Sequence, residues 1–580
     1  MSASPARAEL AGAAARSGRA IRCGCLWIAA LLLASPDVRA ACDAPDIRPA
    51  QAAIASAHPL ATEAGLTILD AGGNAFDAAV AVTAVLAVVE PYGSGIGGGG
   101  FWLLHRAEDC RESMLDGRER APLAAHRDLF LDDAGRFLPE SALTGPLSAG
   151  IPGTPAALVA LAEGYGRVPL AQSLAPAIGL ARDGFEIADG YRRVAEWRLP
   201  ALRASPAASA QFLVDGEVPP RGHRLRQPDL ADTLGRLASE GHAGFYAGAT
   251  AERLVSGVRA GGGIWTLEDL AEYRAVERKP IVASFRGWRL VSAAPPSSGG
   301  VLLAQILNML DAIEPQPESG AQRIHALTET MRRAYRDRAR YLGDPDHVRM
   351  PIERLTHPYY AAGLIRDFNP TRATPSQVAG TDTAVSEGRD TTHFSILDRE
   401  GNRVAATLSI NYPFGSGFVP PGTGVLLNDE MDDFSARPGA ANVYGLVGGE
   451  ANAIAPGKRM LSSMSPTFLE SPETVAILGT PGGSRIITMV LQGILGVVDG
   501  VPIEDWIAQP RIHHQYLPDR LELESGALTT TEQAELTAMG HRLELLDRPI
   551  GDMQAILWDR ATGQVKAASD PRGAGHAEVR

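Results

Sequence analysis

The stretch 390–435, DTTHFSILDREGNRVAATLSINYPFGSGFVPPGTGVLLNDEMDDFS, constrains this chain more than any other. Two apolar runs, FSIL and VAATLSI, flank Asp398-Arg399-Glu400-Gly401-Asn402, which predicts two strands joined by a short hairpin turn. Thr391 and Thr392 open the first strand deep inside the chain. The second strand carries Ser409, and Asn411, Glu430, Asp432 and Asp433 follow. A Thr-Thr pair can open a strand through β-propensity alone. The polar set behind it suggests more. A threonine hydroxyl is a weak nucleophile that needs an adjacent base. Cutting the bond after Asp390 would create one, because the freed α-amino group of Thr391 titrates near ~8, close to the optimum for general base work. The stretch reads as a buried future N-terminus, and the chain as a self-processing amidohydrolase precursor.

At 580 residues the chain is too long for one small core and fits one large α/β unit or two to three domains. A net charge of -13 argues against a nucleic-acid partner, yet leaves room for a small anionic substrate held by a single arginine. Arg16, Arg19 and Arg22 precede LWIAALLLA (26–34), and Val38-Arg39-Ala40 offers a cleavage site. Nine apolar residues are too few to span a bilayer, so residues 1–40 are expected to be a signal peptide of a secreted or periplasmic protein, with no membrane span. Cys42 after Ala40-Ala41 also admits a lipoprotein anchor, for which Arg39 is a poor signal. Loss of Cys23 and Cys25 with the leader would leave Cys42 and Cys110, as a disulfide or as two free thiols.

Residues 59–90 have a helical pattern broken at Gly72-Gly73, and the second half is apolar on nearly every side. Gly97 to Gly100 lead into a strand, FWLLHR; no Lys-Ser/Thr follows, which excludes a phosphate-cradling loop. Residues 155–345 read as mainly helical, with a turn at PPSSGG (295–300), and 367–390 is poor in large apolar residues. Further strands are expected within 465–479 and 552–568, and helices near 484–498 and 530–540. This order suggests layered α/β packing. His513 and His514 are adjacent, would point to opposite sides of a strand, and are read as structural, not as metal ligands.

The blocks NAFDAAVA (74–81), GIGGGGF (95–101), DGRERAP (116–122), PPSSGG (295–300), YLGDPD (341–346), NVYGLVGG (442–449), LSSMSP (461–466), GTPGGSRI (479–486), RIHHQYLPD (511–519) and ASDPR (568–572) resemble those of the γ-glutamyltranspeptidases, in the same order. That family belongs to the N-terminal-nucleophile hydrolases. The resemblance implies an α/β, four-layer αββα sandwich with a mainly helical region in a large subunit. It implies autocleavage between Asp390 and Thr391 into subunits 41–390 and 391–580. Thr391 would be the nucleophile (Thr392 the alternative), with Ser409 hydrogen-bonded beside it. Gly482 and Gly483 would supply oxyanion donors. Arg118, Ser462 and Ser463 would hold the α-carboxylate of a γ-glutamyl substrate, and Asn411, Glu430 and Asp433 its ammonium. Asp432 aligns beside these ligands but outside the set. Residues 438–449 align with a lid loop, with Tyr444 at its tip. The implied activity is γ-glutamyl transfer from glutathione and related compounds to water, amino acids or peptides, with no cofactor and no metal. The competing readings are a cephalosporin (glutaryl) acylase of the same superfamily and a non-catalytic binding protein.

Overall fold

The strand that begins at Thr392 lies in the middle of a seven-stranded antiparallel sheet. Its order is His576–Val579, Ala53–Ser56, Thr392–Leu397, Arg403–Ser409, Gly99–Arg106, Arg111–Asp116 and Val276–Arg278. A second antiparallel sheet runs Val565–Ser569, Gln554–Asp559, Thr474–Gly479, Thr467–Glu470, Trp288–Ser292 and Ile281–Phe285. This computed structural model describes residues 48–376, 391–437 and 439–580. The expected signal peptide, Cys23, Cys25, Cys42, Asp390 and Pro438 lie outside the described residues. Cys110 is disulfide-bonded. Among the described residues no helix is long and apolar enough to cross a membrane.

The period-2 alternation of a strand sorts its side chains between two cores. Phe101, Leu103, Leu397 and Ala405 join a cluster with Phe468, Ile477 and Ile556 of the second sheet. Their neighbours Trp102, Leu104, Ile396 and Val404 join the other cluster, with the helix Ala75–Val89. Every residue of that helix is buried, which is why its sequence is apolar all round. Asn74 caps it, accepting from the Phe76 and Asp77 N–H groups while the Asp77 side chain returns to the Asn74 N–H. Fully burying each Val or Leu contributes about 1.5–3 kcal/mol, so this helix anchors one face of the central sheet.

The expected break at Gly72-Gly73 separates helices Pro59–Asp70 and Ala75–Val89. The helices Gly299–Asp311, Gly320–Tyr341, Ile486–Val498 and Thr530–Ala538 also fall where the pattern put them. The mainly helical reading of 155–345 needs one correction: besides the short pair Phe185–Glu186 and Arg224–Leu225, the strands Val276–Arg278, Ile281–Phe285 and Trp288–Ser292 interrupt it. The last two form a hairpin with Phe285 opposite Trp288. Its two-residue turn puts Arg286 at φ 47° and Gly287 at φ 83°. Positive φ at both positions is the backbone geometry that matches strand twist, but Arg-Gly is not among the dipeptides that announce it.

Candidate active site

Thr391 precedes the central strand with φ 116°, a conformation that a β-branched residue avoids. Such strain costs of order 1–3 kcal/mol and persists only where surrounding structure imposes it. Here the imposing contacts are visible. The register pairs Thr392 with Leu408, so Ser409 lies opposite Thr391, and their hydroxyl oxygens are 3.3 Å apart. The Ser409 hydroxyl accepts the Asn411 N–H at 2.8 Å. Asn411 has φ 70°, which turns the chain back over the site, and its side chain donates to the Asp429 carbonyl at 3.1 Å. On the other side, the Thr392 hydroxyl donates to Glu90 Oε2 at 2.8 Å.

Thr391, Ser409, Asn411, Glu430 and Asp433 line one small cavity of about 20 Å³, together with Tyr444, Ser462, Ser463 and Gly483. Nine of the expected residues therefore converge, from segments up to 92 positions apart in sequence. Arg118 is fully buried and lies behind this wall, not in it. One guanidinium nitrogen donates to Glu430 Oε1 and another to Asp433 Oδ2. The arginine expected to meet a carboxylate is thus already held by the two acids expected to meet an ammonium. A buried charge left unpaired would be costly, so this self-pairing is the low-energy arrangement. Arg118 Nε also donates to the Met460 carbonyl at 3.2 Å. Burial works against its charge, but Glu430, Asp433 and Glu119 hold its pKa above the ordinary value.

Among the described residues Glu430 keeps one oxygen, Oε2, without a hydrogen-bond partner. Burial pushes its carboxyl up, with Arg118 opposing. A half-satisfied carboxylate on a cavity wall is an acceptor for an incoming cation. Glu119 is more extreme: among the described residues neither side-chain oxygen has a hydrogen-bond partner, Oε2 lying 3.6 Å from an Arg118 guanidinium nitrogen, and burial followed by the Glu430 charge raises its pKa well above the carboxylate range.

Gly482 and Gly483, at φ 134° and 56°, lead through a short 3-10 turn into the helix Ile486–Val498. Gly483 lines the cavity and Gly482 does not. Tyr444, on the cavity wall, is 3% exposed and its hydroxyl donates to the Asn411 carbonyl at 3.0 Å. A Cβ on Gly483 would stand 2.6 Å from the Tyr444 ring, so only glycine permits this approach. The loop around Tyr444 is tied down by the acidic turn. Asn442 donates to Asp433 Oδ1 at 3.0 Å and the Val443 N–H donates to Asp432 Oδ2 at 3.1 Å. Asp432, outside the expected set, is therefore a tether for this loop; burial raises its pKa to about 8.

Several participants were not singled out from sequence. Asn428 bridges the Gly97 and Gly150 carbonyls at 2.7 and 2.9 Å and accepts the Glu430 N–H at 3.0 Å, fixing the acidic turn on the glycine run. Gln515 donates to the Tyr444 carbonyl at 3.0 Å. Glu119 stood in the quoted DGRERAP block, but its burial has no sequence signal. His513 and His514 are buried, bonded to Thr488 at 2.8 Å and Asp519 at 3.3 Å, and burial lowers their pKa values to about 3 and 4.

Residues 61–579 match the family profile described as gamma-glutamyltranspeptidase. The chain is 42% identical over 535 residues to the glutathione hydrolase proenzyme of Escherichia coli strain K12, covering 91% of both. Among solved structures it resembles cephalosporin acylase from Bacillus halodurans, with TM-score 0.81, 27% identity, and 92% of this chain and 96% of that one covered. It also resembles Helicobacter pylori gamma-glutamyltranspeptidase, with TM-score 0.54, 39% identity, and 58% of this chain and 97% of that one covered. The chain belongs to the γ-glutamyltranspeptidase family.

Proposed function

We propose that this chain is a secreted or periplasmic, self-processing γ-glutamyltransferase and glutathione hydrolase on a four-layer αββα sandwich. The observation that carries the reading is Thr391: a strained threonine at the head of a central strand, its hydroxyl beside Ser409 and facing a cavity walled by Glu430 and Asp433. Membership of a family whose relatives are named proenzymes supports processing. In maturation the Thr391 hydroxyl attacks the Asp390 carbonyl carbon, the acyl group moves from nitrogen to oxygen, and water hydrolyses the ester. This leaves subunits of residues 41–390, once a leader of residues 1–40 is removed, and 391–580.

In turnover the freed α-amine takes the hydroxyl proton, directly or through a water. The alkoxide attacks the γ-amide carbon of glutathione, and N–H groups of Gly482 and Gly483 meet the developing oxyanion. Cysteinylglycine leaves with the proton, and water or an amino-acid or peptide amine accepts the γ-glutamyl group from the ester. No cofactor enters these steps. The substrate ammonium is held by Asn411, by Asp433 and by the free Glu430 oxygen. Its α-carboxylate is held by Ser462 and Ser463, while Arg118, expected from sequence to meet it directly, acts from behind the wall by holding Glu430 and Asp433.

A glutaryl acylase is the competing chemistry, because the B. halodurans acylase shares the fold. Its acyl group lacks the amine that the free oxygen of Glu430 would receive. Intact mass of wild type and Thr391→Ala, followed by assays with γ-glutamyl and glutaryl anilides, tests all of this. Two wild-type fragments, an uncut variant and preference for the γ-glutamyl anilide are expected. One uncut wild-type chain would sink the mechanism and leave a binding protein, and a glutaryl preference would favour the acylase.

A further inference from the structure

The serine pair of the cavity wall leads to a buried charge that the reaction as described does not use. Ser463 lines the cavity with Thr391, and its hydroxyl accepts from Arg338 Nη2 at 3.2 Å. Arg338 Nε donates to Ser298 Oγ at 2.9 Å. Ser298, from the PPSSGG turn, then donates both its N–H and its hydroxyl to the Ser462 carbonyl, at 2.9 and 2.7 Å. Arg338 comes from the helix Gly320–Tyr341 and is 5% exposed.

Neighbouring acids on this helix are committed elsewhere. Glu329 pairs with Arg332 and Arg333, while Asp337 accepts from Gln305 and Tyr360. Among the described residues Arg338 therefore bonds to two hydroxyls and to no carboxylate. Buried arginines are normally paired with an anion, and burial lowers the pKa of this one. Its hydrogen bonds also set the polarity of the wall. A guanidinium can only donate, so Ser463 must accept from it and is left to donate its own proton elsewhere. Ser462 is set the same way, its hydroxyl oxygen accepting the Met464 N–H at 3.1 Å. Two serines aimed as donors, backed by a guanidinium that no acid among the described residues hydrogen-bonds and that feels Asp433 only at a distance, make a wall for an anion.

We propose that Arg338 is a positioning residue for the substrate α-carboxylate. It fixes Ser463 as a donor and supplies positive charge that Arg118, held by Glu430 and Asp433, has already shared out. This rests on the γ-glutamyl reading above and specifies how that reading's anionic end is recognised.

The test uses three ligands that share one carboxylate: L-glutamate, glutarate, which lacks the amine, and 4-aminobutyrate, which lacks the α-carboxylate. Binding to the processed protein is measured by calorimetry for wild type, Arg338→Gln, Arg338→Lys and Ser463→Ala. Loss of a charge-assisted hydrogen bond predicts about tenfold weaker L-glutamate and glutarate for Arg338→Gln, with less than about twofold change for 4-aminobutyrate. Ser463→Ala should show the same selectivity, and Arg338→Lys a smaller loss. Uniform weakening of all three ligands, or none, overturns the proposal. Should Arg338→Gln fail to fold, Ser463→Ala and Arg338→Lys decide it by the same criterion. Hydrolysis of a γ-glutamyl anilide by wild type is measured in parallel. Its absence removes the functional reading and this inference with it, whereas normal hydrolysis without ligand selectivity in the variants removes this inference alone.

Discussion

The Ser409 hydroxyl stands 3.3 Å from that of Thr391 because antiparallel pairing of their strands sets Thr392 against Leu408. Ser409 is thus positioned against Thr391 by backbone register and not by a flexible loop. Ser409→Ala keeps the register and removes the hydroxyl. We expect about 10- to 100-fold slower γ-glutamyl anilide hydrolysis and slower chain cleavage, with Ser409→Thr close to wild type in both. Time courses on denaturing gels and initial rates check this together; a full-speed alanine variant would show the hydroxyl to be a bystander.

Arg118 offers a stability prediction. Its fork is shared between Glu430 and Asp433, all three largely or wholly buried. Arg118→Leu strands two acids without their cation and should lower the unfolding free energy by about 3–5 kcal/mol. Adding Glu430→Gln and Asp433→Asn should recover much of the loss. Urea titration of the single and triple variants reads this directly.

Gly483 and Tyr444 should behave as a coupled pair. A methyl at position 483 would meet the Tyr444 ring at 2.6 Å and would sit at positive φ. Gly483→Ala is expected to lose at least about 100-fold in kcat, and Tyr444→Ala to raise KM through loss of the cover over the cavity. In the double variant the clash is gone, so its loss should fall short of the product of the two single losses. Strict multiplicativity in a kinetic cycle would contradict the packing described.

Glu90 gives a pH dependence with a definite sign. Burial raises its carboxyl from 4.5 to about 7, against hydrogen bonds from Thr392 and Tyr92. The folded protein keeps a proton there, between those two values, that the unfolded chain has released. The group's contribution is therefore intact at low pH and is lost as pH rises through about 7. Relative to wild type, Glu90→Gln should gain about 3 kcal/mol of stability between about pH 5 and about pH 8.5. Denaturant melts of both proteins at the two pH values measure it; a constant difference would place Glu90 in the ordinary carboxylate range.

Legibility in the sequence followed the range of the signal. The helix Ala75–Val89 and the hairpin after Thr391 are written in local periodicity, so their place was readable. The hairpin at Arg286-Gly287 was not, because its turn uses arginine at positive φ where asparagine or aspartate would announce it. At the site, residue types were legible but pairing was not. Nothing local states that Arg118 reaches residues more than 300 positions away, or that Asp432 tethers Val443. Arg338 is the plainest case: in a helix carrying many charges, only the fold distinguishes it, buried against hydroxyls, from Arg332 and Arg333, buried against Glu329, and from the arginines on the surface.

The central sheet interleaves the two lengths of chain on either side of position 391. The strand Thr392–Leu397 is flanked by Ala53–Ser56, which in turn bonds to His576–Val579 near the C-terminus. The proposed scission before Thr391 would therefore sever a covalent bond without creating two separable bodies. Neither fragment owns the whole of either large sheet, and each alone would present open strand edges that invite aggregation. The cut would change the molecule's history rather than its shape. Before it, unfolding is a unimolecular event that a single chain can reverse. After it, recovery requires two partners to meet, and denaturation becomes in practice a one-way passage.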